Sequence, residues 1–351
     1  MNIKDFIKPN VLQLKPYNSA RSEYSGNSGI FLDANENPYG KFNRYPDPYQ
    51  KTIKNKISAL KNIPVEQIFL GNGSDEVLDV VMRVFLQPNQ DSILIFPPTY
   101  GMYEVLANIN QIQIHHIHLN SDFQLDIPKI ENFLKKNQPK MAILCSPNNP
   151  TGNCLKNITD FLEIFKGIVV IDEAYIDFAE EPSFLHQLSD YPQVIVSQTF
   201  SKAWGLASIR VGMAFAHPTI IQYMNFVKYP YNISQINQKI LLSKLLKIND
   251  YHNEIKKILV NREFLINQLK SIKIIKKIFP TDANFVLVQV EDANLIYQKL
   301  QENELPIIVR NRHSQIPNTL RITVGKKSEI KNLIKKLREI EKFYEEKNII
   351  S

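Results

Sequence analysis

Four clusters of polar and small residues each stand directly after a short apolar run, and each carries groups that could do chemistry. Gly71-Asn72-Gly73-Ser74 follows Leu70, and Ser146-Pro147-Asn148-Asn149-Pro150-Thr151-Gly152 follows Cys145. Asp172, Glu173, Ala174 and Tyr175 follow Ile171, and Ser197-Gln198-Thr199-Phe200-Ser201-Lys202 follows Val196, with Arg210 eight residues beyond the lysine. A lysine beside a cationic or desolvating neighbour has a depressed pKa and can form a Schiff base. Arg210 would supply part of that field and grip a phosphate through paired N–H bonds. Asp172 ends a run of four β-branched residues, so its carboxylate belongs at a buried strand tip. Such an anion suits a pyridinium nitrogen, with Tyr175 and Asn149 on either side of a ring hydroxyl. In isolation Asp172 reads better as a helix N-cap. Gly71–Ser74 feeds a helix start, whose unpaired N–H groups and positive dipole end suit a phosphate, although the segment alone fits a plain turn equally well. It is not a dinucleotide fingerprint, because Glu76 takes the place of the third glycine, and it lacks the Gly-Lys-Ser/Thr ending of a Walker loop. Each cluster alone is weak evidence; four at equivalent strand ends are not.

The elements that must position these groups follow from hydrophobic periodicity. Gln67–Leu70, Ser92–Phe96, Met141–Cys145, Ile168–Ile171 and Val194–Val196 read as buried strands. Their near-continuous apolar character, with helical patterns between, predicts a mostly parallel sheet covered on both faces. Val77, Val80, Val81, Val84 and Phe85 recur at helical spacing, with Ser74 as a candidate N-cap. Tyr49, Ile53, Ile57 and Leu60 form a second stripe; Ile330, Leu333, Ile334, Leu337 and Ile340 form a third near the C-terminus. Asn284–Val290 and Leu320–Val324 read as strands of a smaller C-terminal layer, along which the irregular first 40 residues are expected to run. In an open parallel sheet ligands bind beyond the carboxyl ends of the strands, where the four clusters lie.

Composition narrows the function classes. At 351 residues, one large and one small domain is the first expectation. The net charge of +7 comes from 33 lysines and 9 arginines strewn among acids, without the basic stripe and interleaved aromatics of a nucleic-acid binder. No run approaches the roughly 20 apolar residues that span a bilayer, and MNIKDFIKPN lacks a signal-like apolar segment, so a cytoplasmic location is expected. Cys145 and Cys154 read as reduced structural thiols rather than a disulfide framework. In His115-His116-Ile117-His118, His116 and His118 would share one face of a strand, and a partly exposed strand is the better reading than a metal site. No metal is expected.

Ser-Pro-Asn-Asn-Pro-Thr-Gly, Asp-Glu-Ala-Tyr and Thr-Phe-Ser-Lys-Ala-Trp-Gly-Leu-Ala-Ser-Ile-Arg-Val-Gly resemble signatures of fold-type-I aminotransferases that depend on pyridoxal 5'-phosphate (PLP). Within that superfamily the chain resembles the histidinol-phosphate aminotransferase family almost end to end. Leu14-Lys15-Pro16-Tyr17, Ser19-Ala20-Arg21, Asp33-Ala34-Asn35-Glu36-Asn37-Pro38, Asn43-Arg44-Tyr45-Pro46-Asp47-Pro48, Pro98-Thr99-Tyr100-Gly101-Met102-Tyr103 and Leu320-Arg321-Ile322-Thr323-Val324-Gly325 carry that resemblance in order. It implies an α/β fold: a large domain over 46–250 with a mostly parallel sheet sandwiched by helices, and a smaller α+β domain from 1–45 and 251–351 with an N-terminal arm. It implies Lys202 as the Schiff-base lysine, Asp172 on the pyridine nitrogen, Asn149 and Tyr175 at the ring hydroxyl, and Tyr100 stacked on the ring. Gly73, Ser74, Asp75, Ser201 and Arg210 would form the cofactor-phosphate end, joined by Tyr45 from the neighbouring subunit of a homodimer. Arg321 would grip the substrate anion, with Arg310, Tyr17 and Asn35 close by. One departure is Ser208, where the family commonly has glycine; it should tighten packing before Arg210.

The implied reaction is a ping-pong amino transfer between L-histidinol phosphate and 2-oxoglutarate, with Lys202 as the general base. Three rivals remain: an aromatic amino-acid aminotransferase, a threonine-phosphate decarboxylase, and a PLP-binding regulator, for which no helix-turn-helix extension is left over.

Overall fold

The computed structural model describes residues 2–16, 29–302 and 305–346. Tyr17 and the Ser19-Ala20-Arg21 segment lie outside the described residues. Seven strands form the larger sheet: β1 (Ile68–Gly71), β2 (Ser92–Ile95), β3 (Gln113–His116), β4 (Met141–Cys145), β5 (Ile168–Asp172), β6 (Val194–Thr199) and β7 (Gly212–Ala216). Their spatial order is β1-β7-β6-β5-β4-β2-β3. The neighbours from β6 through β5, β4 and β2 to β3 pair in parallel, while β7 runs antiparallel to both β6 and β1. This is the mostly parallel, helix-covered α/β sheet that the apolar runs predict. The sequence reading missed β7, whose Gly-Met-Ala-Phe-Ala composition is poor in strand-favouring residues.

Alternate residues of each strand feed separate cores on the two faces. Leu70, Leu94, Leu144, Ile171 and Val196 belong to one, and Phe69, Ile93, Ile143, Val170 and Ile195 to the other. The helix Gly73–Phe85 buries Val77, Val80, Val81, Val84 and Phe85 against the second face, as their spacing requires. Its cap is Asn72 rather than the expected Ser74, which lies inside the first turn.

Four more strands, β8 (Ile275–Ile278), β9 (Phe285–Val290), β10 (Arg310–Asn311) and β11 (Thr319–Thr323), form an antiparallel sheet in the order β10-β11-β9-β8. The helix Lys327–Glu346 covers it with the predicted stripe, Ile330 through Ile340, all buried. The helix Ile248–Leu269 links the two bodies. Ile255 and Leu259 pack on the larger core, while Leu265 and Leu269 lie in the smaller one.

The start of the chain departs from expectation. Ile3, Ile7 and Val11, four residues apart, are buried against the larger sheet's outer helices, and the Lys8 N–H donates to Val84 O at 3.1 Å. An apolar stripe on the helices Gly73–Phe85 and Pro218–Val227 draws these residues away from the smaller sheet. In the histidine stretch, β3 ends at His116, and His116 Nε2 lies 2.9 Å from Glu104 Oε1. Both cysteines are free and buried.

Behind the central strands Glu173 is buried, with only 3% exposure, and holds three donors: the Ser183 hydroxyl at 2.5 Å, Phe184 N–H at 2.6 Å and Gln198 Nε2 at 2.8 Å. Burial raises its pKa above the ordinary value, against the lowering effect of these donors. The folded protein therefore binds this proton more tightly than the unfolded chain. The contribution to stability is largest at low pH and declines as pH rises through the raised pKa. Two outcomes are expected in urea unfolding followed by the fluorescence of Trp204. Glu173→Ala should cost about 3 kcal/mol, because it strands three buried donors. The stability of wild type relative to Glu173→Gln should fall as pH rises from 4.5 to 7.5; a difference independent of pH would contradict the assignment.

Candidate active site

The strand register brings the predicted groups level. Cys145 pairs with Asp172, and Asp172 with Ser197, so β4, β5 and β6 end side by side. Thr199 and Gly71 both pair with Gly212, which extends the row through β7 to β1. Beyond this edge lies a cavity of about 430 Å³, a size that suits a small ligand. Ser74, Asp75, Tyr100, Asn149, Asp172 and Tyr175 line it from the larger sheet, together with Ser201, Lys202 and Arg210. Arg310 and Arg321 close it from the smaller sheet.

Each wall has a local cause. Gly212 must lack a side chain, because a Cβ there would lie 2.4 Å from Ser74 N. That close approach seats the first turn of the helix Gly73–Phe85 on the strand end, where its free N–H groups and dipole favour an anion. Gly73 has a φ of +82°, and a Cβ on it would lie 2.5 Å from Arg210 Nη2. Arg210, itself left-handed at φ 51°, reaches Asp75 Oδ2 at 3.3 Å and Ala207 O at 3.4 Å. Ser208 is exposed in the turn Ala207–Ile209, so the tighter packing expected of it is not seen.

Asn148, buried at 1% exposure, knits two loops together. It donates to Pro98 O and to Thr151 Oγ1, both at 2.8 Å, and accepts from the Thr99 hydroxyl at 2.9 Å. Tyr100 and Asn149, next to Thr99 and Asn148, thereby take fixed places in the cavity wall. The Lys202 turn is held from below by buried Phe200 and Trp204, with the Ser201 N–H on Thr199 Oγ1 at 3.1 Å. Lys202 Nζ lies 5.6 Å from the centroid of the Tyr175 ring.

Asp172 is 3% exposed; its Oδ2 accepts from the Tyr103 hydroxyl at 2.7 Å and its Oδ1 from Ala174 N–H at 3.2 Å. Burial lifts its pKa to about 6, and the two hydrogen bonds pull the other way. Lys202 shifts oppositely: partial burial, then the Arg321 and Arg210 charges, lower it. Burial pushes the Tyr175 phenol well up and Tyr100 to about 12, so both stay protonated near neutrality. The arrangement offers an amine displaced toward its nucleophilic neutral form, a carboxylate suited to a cationic partner, and positive groups at both ends. Arg321 donates through Nη1 to Asn149 Oδ1 and lies 5.1 Å from the centroid of the Phe285 ring.

Two expected residues are not brought in by this chain. Tyr45 stacks on Tyr231 with ring centroids 4.4 Å apart, and Asn35 lies with it in a second cavity beside Ser234. The segment around them packs with residues 231–236 instead of turning toward Arg321. Two residues of the site were given no role by the sequence. Tyr103 stands three places after Tyr100, a helical spacing that could have flagged it. Arg312 stands two places after Arg310, the spacing that puts both on one strand face.

Comparison with known proteins agrees with this geometry. The sequence family "Aminotransferase class I and II" matches residues 28–337. The histidinol-phosphate aminotransferase of Christiangramia forsetii is 45% identical over 347 residues, covering 97% of this chain and 98% of that protein. That of Cytophaga hutchinsonii is 44% identical over 346 residues, covering 96% and 99%. Among solved structures, the histidinol-phosphate aminotransferase of Clostridium acetobutylicum aligns with a TM-score of 0.78 at 23% identity over 86% of this chain and 91% of that one. The Sinorhizobium meliloti enzyme in complex with pyridoxal-5'-phosphate gives 0.78 at 20% identity over 85% and 83%. At these identities the structural matches speak for the fold, which they share. The near-full-length relatives and the family match go further: the chain belongs to the class I and II aminotransferases and, within them, to the histidinol-phosphate aminotransferase family.

Proposed function

We propose that this protein transfers an amino group reversibly between L-histidinol phosphate and 2-oxoglutarate, giving imidazole-acetol phosphate and L-glutamate, in L-histidine biosynthesis. The observation that carries the reading is Lys202 opening onto one cavity with a buried carboxylate behind it and guanidinium groups at both ends. The family's cofactor is PLP, which supplies an electron-withdrawing ring that lets a Cα–H bond break. The residues present fit it. The Gly73 and Gly212 positions, which a Cβ would fill, form a bare anion cradle with Ser74, Ser201 and Arg210 for its phosphate. Asp75 accepts from Arg210 and from the Tyr100 hydroxyl, fixing both. Asp172, steadied by Tyr103, would face the ring nitrogen, whose positive charge offsets the cost of burying the carboxylate. Asn149 and Tyr175 would flank the ring hydroxyl, and Tyr100 would lie against the ring.

Lys202 Nζ would be the amine that holds the cofactor and, when free, the general base placed to take the donor Cα proton. Arg321, helped by Arg310, is assigned the anion common to both half-reactions. A planar guanidinium serves phosphate and carboxylate alike. Asn35, Tyr45 and Tyr17 belong to this reading as substrate-side residues, with Tyr45 reaching the partner's cofactor phosphate in a homodimer. The exposed apolar side chains that line the second cavity support a second copy there: Phe42, Tyr45 and Ile236 are 66%, 48% and 46% exposed. A cytoplasmic location goes with the two free, buried thiols. No helix among the described residues is long and apolar enough to cross a membrane.

An amino-donor panel on purified protein, read by the cofactor's visible absorbance, tests the function. Histidinol phosphate should discharge the cofactor in preference to phenylalanine, tyrosine and threonine phosphate. Conversion of phenylalanine with none of histidinol phosphate would favour an aromatic aminotransferase, and carbon dioxide from threonine phosphate a decarboxylase. Borohydride reduction followed by peptide mapping should fix the cofactor on Lys202; Lys202→Ala should take no label and lose on the order of 10⁴-fold in kcat or more. Arg321→Ala should raise KM for both histidinol phosphate and glutamate by roughly 10- to 100-fold, the loss of a charged hydrogen-bonding partner. An unchanged KM for both would remove Arg321 from the anion site. Sedimentation should show a dimer, and a monomer with full activity would exclude the shared role of Tyr45.

A further inference from the structure

Arg310 and Arg321 face each other across the β10–β11 pair. The Arg312 N–H donates to Thr319 O at 2.9 Å, which carries that pairing one step further. Residues two apart share a strand face, so Arg312 stands on the same side as the other two, and all three line the Lys202 cavity. Clustering three cations is unfavourable by itself. Burial, then the charges of Arg321 and Arg310, push Arg312 down to about 10. The Nε atoms of both Arg312 and Arg321 are buried without a hydrogen-bond partner. Among the described residues no carboxylate forms an ion pair with any of the three.

This is an excess of positive charge over what one carboxylate needs. A carboxylate carries a single charge, whereas a phosphate monoester loses a second proton near pH 6 and presents three acceptor oxygens. We propose that Arg312 determines donor specificity by meeting the second negative charge of the phosphate monoester, in addition to the grip supplied by Arg321 and Arg310. This rests on the donor assigned above. Glutamate, with one charge at each end, gains little from a third guanidinium beside the first two. The selectivity thus lies in charge count at one end of the cavity.

The test compares Arg312→Gln and Arg312→Lys with wild type as holoenzymes, using histidinol phosphate and glutamate from pH 5.5 to 8. Retained cofactor absorbance checks the fold, and Arg312→Lys carries the comparison if the Gln variant is not tolerated. In wild type, KM for histidinol phosphate should fall as the phosphate ionises through about pH 6. Asp172, Asp75, Lys202, Tyr100, Tyr175 and Arg210 also face this cavity. Glutamate, which meets the same groups without a second ionisation, is the control for any titration of theirs. Arg312→Gln should raise KM for histidinol phosphate roughly tenfold above pH 7 and flatten its pH dependence, with KM for glutamate changed less than about threefold and kcat retained. Arg312→Lys should fall between, since it keeps the charge and loses the fork. An unchanged ratio of the two KM values, or an equal rise in both, would overturn the role of Arg312. Failure of wild type to convert histidinol phosphate at all would instead take down the donor reading on which this rests.

Discussion

A carboxylate set almost out of reach of water, Asp172 at the tip of the central strand, is the constraint on which the rest of the site depends. A buried anion is costly, and its pKa rises as burial favours the neutral form. Two hydrogen bonds, from Tyr103 and from the Ala174 N–H, reduce that cost and fix where the oxygens point. A protonated ring nitrogen would offset what remains. The sheet serves this arrangement by holding Cys145, Asp172 and Ser197 in one row, so that Asn149, Tyr175 and Lys202 emerge around the same point.

The opposite wall is built from positive groups under mutual repulsion. Arg321 and Arg210 both lower the pKa of Lys202, while Arg310 and Arg321 bear on Arg312. Such a cluster does little for folding; a bound anion would offset its cost. The division of labour follows the two sheets. Helix start and Arg210 come from the larger sheet and face one end of the cavity; Arg310, Arg312 and Arg321 come from the smaller sheet and face the other. The two sets are joined across the cavity where Arg321 donates to Asn149 Oδ1.

Glycine is required at two positions here for steric reasons that sequence pattern alone does not supply. Gly212 admits the backbone of Ser74, and Gly73 admits the Arg210 guanidinium. Together they let two segments distant in sequence, Gly73–Ser74 and Arg210–Gly212, come into close contact at one end of the cavity.

Read by itself, the sequence determined the parallel sheet, its buried strands, two of the three helical stripes and the four polar clusters at the strand ends; of the stripe from Tyr49 to Leu60 only Ile53 and Ile57 are buried in the helix Lys51–Lys61, while Tyr49 precedes it and Leu60 is exposed. These are legible because periodicity and burial are local properties of a segment, and because ligand-bearing residues in such sheets follow strands. The motifs around Asn149, Asp172, Lys202 and Arg210 carried the family resemblance for the same reason. Tertiary structure alone decided matters that depend on distant partners. It seated Ile3, Ile7 and Val11 on the larger sheet, paired Tyr103 with Asp172, and kept Asn35 and Tyr45 out of the Lys202 cavity of their own chain. It added the antiparallel β7, whose small residues give no strand signal, and set Arg312 beside Arg310 and Arg321. Most of these follow from packing between segments far apart in the chain; local spacing hints only at Tyr103, three places after Tyr100, and at Arg312, two places after Arg310.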